Sequence, residues 1–70
     1  MKAYKLVWET YDQEGEWEKI YKTEELVREA YEKEKEENVE DDTFEEHEPD
    51  KNFGIDGCNC EWYEIEINEG

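Results

Sequence analysis

Carboxylates are the functional groups that this sequence supplies in quantity. The 70 residues include 24 Asp and Glu against 8 Lys and Arg, so the formal net charge is −16 at pH 7. Four of these acids recur at intervals of three or four residues, namely Glu25, Glu29, Glu32 and Glu36. On a helix this spacing places them on one face, with about 6 Å of rise per four residues. Glu64 and Glu66 have the two-residue spacing of one strand face, about 6.7 Å apart. Such rows can imitate a line of phosphates.

The charge is concentrated in the second half of the chain. Residues 1–35 hold 10 acids and 7 bases, whereas residues 36–70 hold 14 acids and one base, so the two halves carry −3 and −13. Between residues 36 and 50, nine of fifteen residues are acidic and none is Lys or Arg. We therefore expect the second half to bind a partner and the first half to act as scaffold. The expected contact acids are Glu25, Glu29, Glu32, Glu36, Glu37, Glu40, Asp41, Asp42, Glu45, Glu46, Glu48, Asp50, Glu64 and Glu66.

A surface of this sign excludes several classes of partner. Nucleic acids and anionic membranes are bound by Lys and Arg, which are scarce here. A basic protein is the partner that the charge favours. The alternative is that the acids serve only solubility, but a net charge of about 2–8 is enough for that purpose in a small domain.

The cysteines and the single histidine offer little further chemistry. Cys58 and Cys60 have one residue between them, whereas zinc ligands are spaced C-x₂₋₄-C and number four, so only His47 and nearby carboxylates could complete such a site. A disulfide across one residue would be strained, and we expect free thiols in a turn. We expect His47 to be solvated rather than to act as a catalytic base.

Catalysis and cofactor binding find no support in the motifs. A calcium loop starting at Asp50 has Ile55 instead of Gly at its sixth position, and one starting at Asn52 has Tyr63 instead of Glu at its twelfth. The sequence shows no Ser-His-Asp arrangement and no Gly-rich phosphate loop. We expect no enzyme activity, no metal and no cofactor.

The lack of long apolar segments in the sequence points to a cytoplasmic protein. No apolar run approaches the 18 or more residues of a membrane-spanning helix, and the N-terminal residues lack the apolar stretch and cleavage site of a signal peptide. We therefore expect a soluble protein in the cytoplasm.

Composition alone leaves the folded state open. Leu, Ile, Val and Phe make up 11 of 70 residues, which with this charge is typical of disorder. Ten aromatic residues favour a folded domain instead, because each can bury roughly 150–250 Å². We expect one folded domain over residues 1–70.

The N-terminal half predicts a hairpin followed by a helix. Residues 2–11 alternate between apolar and polar side chains, residues 16–22 resume the pattern, and Gly15 can supply the positive φ of the intervening turn. Thr23 followed by two acids is typical of a helix N-cap, and a stripe of Leu26, Val27, Ala30 and Tyr31 should pack on the hairpin. We expect the helix to end near Asn38.

The C-terminal half predicts an acidic segment and a final strand. Residues 36–51 should form a partly mobile acidic segment, as a short strand or a loop anchored by Val39 and Phe44. Residues 52–57 are rich in turn formers, and Cys60–Asn68 alternates as the last strand. The fold class is α+β, with a small antiparallel sheet made of the hairpin and one or two C-terminal strands.

Size, charge, aromatic content and this order of elements give the chain a family resemblance. It resembles the DNA-mimic inhibitors made by bacteriophages, and among them is similar to the small host-takeover inhibitors of large lytic Bacillus phages that block the histone-like nucleoid protein HU. The resemblance implies a homodimer whose acidic surface occupies the DNA-binding cleft and arms of HU. The residues that fit this role are the run 36–50, Glu25, Glu29 and Glu32 on the helix, and Glu64 and Glu66.

Other targets and other classes of function stay open. A DNA mimic could instead block a restriction enzyme, a CRISPR effector or uracil-DNA glycosylase. A divalent-cation-binding or structural module would use the same acids without a protein partner. A homodimer would cover an aromatic face such as that of Trp17 or Trp62, and Phe44 could serve as an apolar anchor for a target.

Overall fold

One helix packs on one face of a five-stranded antiparallel sheet in the computed structural model, which describes residues 1–11 and 14–68. The elements are β1 (Lys2–Thr10), β2 (Trp17–Tyr21), α1 (Glu24–Asn38), β3 (Glu45–Glu48), β4 (Asn52–Ile55) and β5 (Cys58–Glu66). The strand order is β2-β1-β5-β4-β3, so β5 lies at the centre and β2 and β3 form the edges. The predicted α+β class is confirmed.

The N-terminal hairpin is confirmed. β1 and β2 pair with Leu6 opposite Lys19 and Trp8 opposite Trp17. Gly15 has a φ of +79°, a conformation that costs glycine little because it has no Cβ. The predicted turn residues Asp12 and Gln13 lie outside the described residues.

Helix α1 begins and ends where the sequence predicts. The Thr23 hydroxyl accepts a hydrogen bond from the Leu26 backbone N–H, which satisfies one of the free donors of the first turn. Val27 and Tyr31 are fully buried against the sheet, whereas Leu26 is 45% exposed and does not join the core. Neither α1 nor any other described part of the chain forms a helix long and apolar enough to cross a membrane.

Strand β4 is a correction to the sequence analysis, which treated residues 52–57 as turns. Residues 52–55 pair with β5, and only the next two residues make the turn, with φ of 32° at Asp56 and 81° at Gly57. Asp-Gly between two apolar segments is the strongest short signal for a two-residue hairpin, and it could have revealed the strand. The short strand expected within the acidic segment is β3, which pairs with β4.

Phe53 on β4 is the centre of an aromatic core. Its ring centroid lies 5.2 Å from that of Phe44, 5.6 Å from that of Tyr31 and 6.0 Å from that of Trp8. Phe44 is therefore an anchor of the acidic segment, as predicted. Val39 is not an anchor, because it is 48% exposed.

Candidate protein-binding surface

The strand order decides where the acids of the second half lie. Because β5 pairs with β1 at the centre of the sheet, the second half contributes Phe53, Cys60 and Trp62 to the core. The second half is therefore part of the scaffold as well, and its role as the binding half stays a prediction. The candidate acids of the second half fall into two groups, one around β3 and one at the end of β5.

The exposed acids of the larger group are what we call the acidic end. Its members come from the last turn of α1, the following turn and strand β3: Glu36, Glu37, Glu40, Asp41, Asp42, Glu45 and Glu48. All seven are exposed, and among the described residues none of them forms an ion pair with a base. The acidic end thus carries seven uncompensated carboxylates.

Backbone and side-chain hydrogen bonds order the turn within the acidic end. The Asp41 N–H donates to the Asn38 carbonyl at 3.0 Å, and the Phe44 N–H donates to the Asp41 carbonyl at 3.0 Å. The Asp41 carboxylate accepts from the Thr43 hydroxyl and from its N–H, and these bonds lower the pKa of Asp41. The Thr43 hydroxyl in turn accepts from the Asp56 N–H at 2.8 Å, which ties the turn to the β4–β5 hairpin.

Glu46 differs from its neighbours because its carboxylate faces the helix. It accepts hydrogen bonds from the Tyr31 hydroxyl at 2.9 Å and from the Asp50 N–H at 3.3 Å, and Lys35 Nζ lies 3.3 Å away. Lys35 also lies 3.7 Å from the Asp50 carboxylate. We call these four residues the Glu46 network. It attaches the acidic segment to α1, so Glu46 and Asp50 have a structural role whatever else they contact.

The Glu46 network also sets the protonation states of its members. Burial alone would raise the pKa of Glu46, but the bonds from Tyr31, the Asp50 N–H and Lys35 outweigh it and lower that pKa. Burial and the Glu46 carboxylate raise the pKa of Tyr31, so its hydroxyl stays a neutral donor.

Glu46→Gln is expected to reduce the free energy of unfolding at neutral pH by about 1 kcal/mol, because a neutral amide accepts these bonds less strongly than a carboxylate. A group whose pKa is lowered on folding contributes stability above its unfolded pKa, near 4.5, and this contribution disappears as the pH falls through the folded pKa. The difference between the two proteins should therefore shrink below pH 4.5. Urea unfolding at a series of pH values measures it.

Glu45→Gln is the matched control, because Glu45 is the exposed neighbour on the same strand. It should leave the stability at neutral pH unchanged or slightly raised, since it removes one like charge. An equal loss in both variants would contradict the role assigned to Glu46.

The four helix acids share one surface, as predicted, and two basic residues lie on the same surface. Glu25, Glu29, Glu32 and Glu36 line one shallow groove along α1 together with Arg28 and Lys33. Arg28 pairs with Glu24 at 3.3 Å, and Lys35 approaches Glu32 at 3.7 Å. The row of helix acids therefore continues from the acidic end along α1, but the basic side chains beside it offset part of its negative charge.

Glu64 and Glu66 lie apart from the acidic end and are ion-paired. The carboxylate of Glu64 is 3.1 Å from Lys2 Nζ, and that of Glu66 is 3.5 Å from the N-terminal ammonium. Exposed pairs of this kind are worth about 0–1 kcal/mol, so a stronger cationic partner could replace them.

Trp17 and Trp62, the two aromatic residues expected at a dimer face, pack mainly against other side chains of the same chain. Trp62 is 5% exposed, packs edge-on against Tyr4, and donates its indole N–H to the Asp50 carbonyl at 2.8 Å. The expectation that its face is available is therefore wrong. Trp17 is half-buried and stacks parallel to Trp8.

The cysteines are free thiols on β5 rather than in a turn. Cys58 is half-buried, and burial of Cys60 in the core raises the pKa of its thiol to about 12, which suppresses reactivity. His47 is exposed, with its Nε2 above Gly54, where a Cβ would approach within 3.2 Å. Within residues 1–11 and 14–68, no group of three or more His, Cys, Asp or Glu side chains is arranged to hold a metal ion.

No protein-family model, no curated protein and no solved structure matches the chain.

Proposed function

We propose that the protein is a DNA mimic that binds a basic bacterial DNA-binding protein, with HU as the favoured target, and blocks its access to DNA. The observation that carries the proposal is the acidic end, with seven exposed carboxylates that have no basic partner among the described residues. This role places the protein in the bacterial cytoplasm.

Charge density supports a local rather than a global imitation of DNA. The accessible surface is 5159 Å², which for a net charge of −16 averages about 320 Å² per charge. Duplex DNA carries one charge per about 1.7 Å of axis, or of order one per 110 Å² on a cylinder of roughly 10 Å radius. The average is about threefold too sparse, so the imitation depends on the acids that cluster at the acidic end and along α1.

The mechanism is electrostatic competition. Carboxylates of the acidic end meet the Lys and Arg side chains that otherwise contact phosphates, and the summed field accelerates association.

The same acids have a simpler explanation that the experiment must exclude. β3 is an exposed sheet edge, and charged residues on an edge strand prevent pairing with other chains. This explanation accounts for the acids of β3. It does not account for those of the turn and of the helix end, which lie outside the sheet.

Displacement of DNA from HU tests the proposed function. A fluorescent 20-base-pair duplex bound to HU should be released as the protein is added, and the affinity of the protein for HU should fall steeply between 50 and 200 mM salt, because phosphate-like contacts are screened. A ternary complex with DNA still bound, or an affinity independent of salt, would contradict mimicry. A restriction enzyme, a CRISPR effector and uracil-DNA glycosylase in the same assay distinguish the alternative targets.

A homodimer is part of the proposal, and the sheet face without the helix is its favoured interface. Ile20 and Tyr63 flank Lys5 on this face, and Ile65 lies in the next row beside Ala3, which is buried. These residues lie near the start of β1 and the end of β5. The turn between α1 and β3 contacts the β4–β5 hairpin, which is at the opposite end of β5. A dimer through this face keeps the two acidic ends apart when its two-fold axis is perpendicular to the strands. The mass of the free protein, measured beside the competition assay, should be that of two chains, and a single-chain mass would contradict it.

A further inference from the structure

An open cleft separates α1 from the β2 edge of the sheet. Its volume is about 420 Å³, and its apolar lining is formed by Leu6, Trp17, Tyr21, Leu26 and Ala30. The sequence predicts that Leu26 packs against the hairpin, but the cleft keeps the two apart and leaves Leu26 45% exposed. A small protein thus leaves aliphatic and aromatic surface accessible in a concave site, which is typical of a binding site.

The rim of the cleft is electrically balanced. Lys19 and Lys33 face Glu29 and Glu34 around it, so the rim is neutral in a molecule with a net charge of −16. Lys19 Nζ lies 5.7 Å from the centre of the Trp17 ring and so already occupies part of that aromatic surface. A bare cation therefore gains little by entering, whereas an apolar side chain gains burial.

The cleft is continuous with the acidic row of the helix. Glu29 and Lys33 line both the cleft and the outer groove of α1, where Glu25, Glu32 and Glu36 lie. A ligand whose apolar side chain enters the cleft therefore places its neighbouring residues beside these acids. The groove holds four acids and two bases, Arg28 and Lys33, so its net charge of −2 favours basic neighbours.

We propose that this cleft receives an apolar side chain carried on a basic segment of the target, the kind of residue that DNA-bending proteins insert between base pairs. Such proteins use Phe, Leu, Ile, Met or Pro as a wedge that enters the base stack while flanking Lys and Arg hold the phosphates. The cleft takes the place of the gap between base pairs, and the acids of α1 take the place of the phosphates. This inference rests on the proposed function and specifies the class of basic target.

Two peptides that differ at one residue test the inference. Each has 14 residues with eight Lys, and the central residue is Ile in one and Ser in the other. The Ile peptide should bind the full-length protein about tenfold more tightly, since burial of a large aliphatic side chain favours binding and part of that gain is lost on ordering. Only the Ile peptide should shift the Trp17 indole N–H resonance, because Trp17 lines the cleft.

Variants locate the effect within the cleft. Leu26→Ser removes one wall and Ala30→Phe fills the space, and each should reduce the preference for Ile to less than threefold. Val39→Ser is the matched control, because Val39 is 48% exposed, lies outside the cleft and should keep the full preference.

The outcomes separate this inference from the proposed function. Equal binding of both peptides to the unmodified protein overturns the inference and leaves the proposed function standing. If both cleft variants still prefer the Ile peptide, the apolar side chain does not bind in the cleft, and the proposed location is wrong. If neither peptide binds at low salt, the proposed function and the inference fall together.

Discussion

Reversing three charges of the acidic end, with Glu37→Lys, Glu40→Lys and Asp42→Lys in one variant, is expected to weaken binding to HU at least 100-fold near 0.15 M salt. Each substitution replaces an attraction with a repulsion, and like charges brought together at an interface cost several kcal/mol. The three side chains are exposed and have no ion-pair partner among the described residues, so the fold should survive. Calorimetric titration of HU with the variant measures the loss.

Asp41 is left unchanged in that variant for a structural reason. Its carboxylate accepts the Thr43 hydrogen bonds that order the turn, so a substitution there would combine loss of charge with loss of structure. The control reverses three hairpin acids, Glu9, Glu16 and Glu18, and therefore changes the net charge equally. Circular dichroism checks its fold, because Glu18 lies 3.2 Å from Lys5 Nζ and Glu16 accepts a hydrogen bond from the Thr10 N–H. If both triple variants bind with the same affinity, net charge rather than the acidic end determines binding, and the assignment of this surface is wrong.

Short-range signals explain what the sequence predicts well. The Thr23 cap, the glycine turn at Gly15 and the end of α1 near Asn38 each depend on a few neighbouring residues, and the structure has all three. Exposure of the acids is also predictable, because an unpaired charge is costly to bury. Among the fourteen candidate acids, only Glu46 is partly withdrawn from solvent.

Long-range pairing explains what the sequence does not predict. Glu46 meets Tyr31 across fifteen positions, and Glu64 meets Lys2 from the opposite end of the chain, because β5 inserts between β1 and β4. The alternation in β5 places Trp62 on the face opposite Tyr63 and Ile65, but only the position of α1 decides which of these faces is buried. β4 is too short to show its own periodicity, and it becomes a strand through pairing with β5.

Because β4 depends on its pairing with β5, the fold should be sensitive to substitutions in the core beneath the acidic segment. Phe53 is fully buried at the centre of the aromatic cluster and lies opposite Cys60 in the β4–β5 ladder. β3 pairs only with β4 among the described strands, so β4 connects the acidic segment to the rest of the sheet. Loss of the Phe53 side chain should therefore affect both the stability of the domain and the order of the acidic end.

Phe53→Ala is expected to reduce the free energy of unfolding by about 3–5 kcal/mol, the usual effect of truncating a buried aromatic residue. At roughly 0.05–0.15 kcal/mol per residue, a chain of this length has about 3.5–10 kcal/mol in total, so the variant should be close to unfolding at room temperature. Urea denaturation followed by circular dichroism measures the loss, with Phe44→Ala as the control because Phe44 is only half-buried in the same cluster. Amide exchange should accelerate first in β3 and β4, since Phe53 is the fully buried side chain of β4 and packs against Phe44. Equal losses in the two variants would contradict the central position of Phe53.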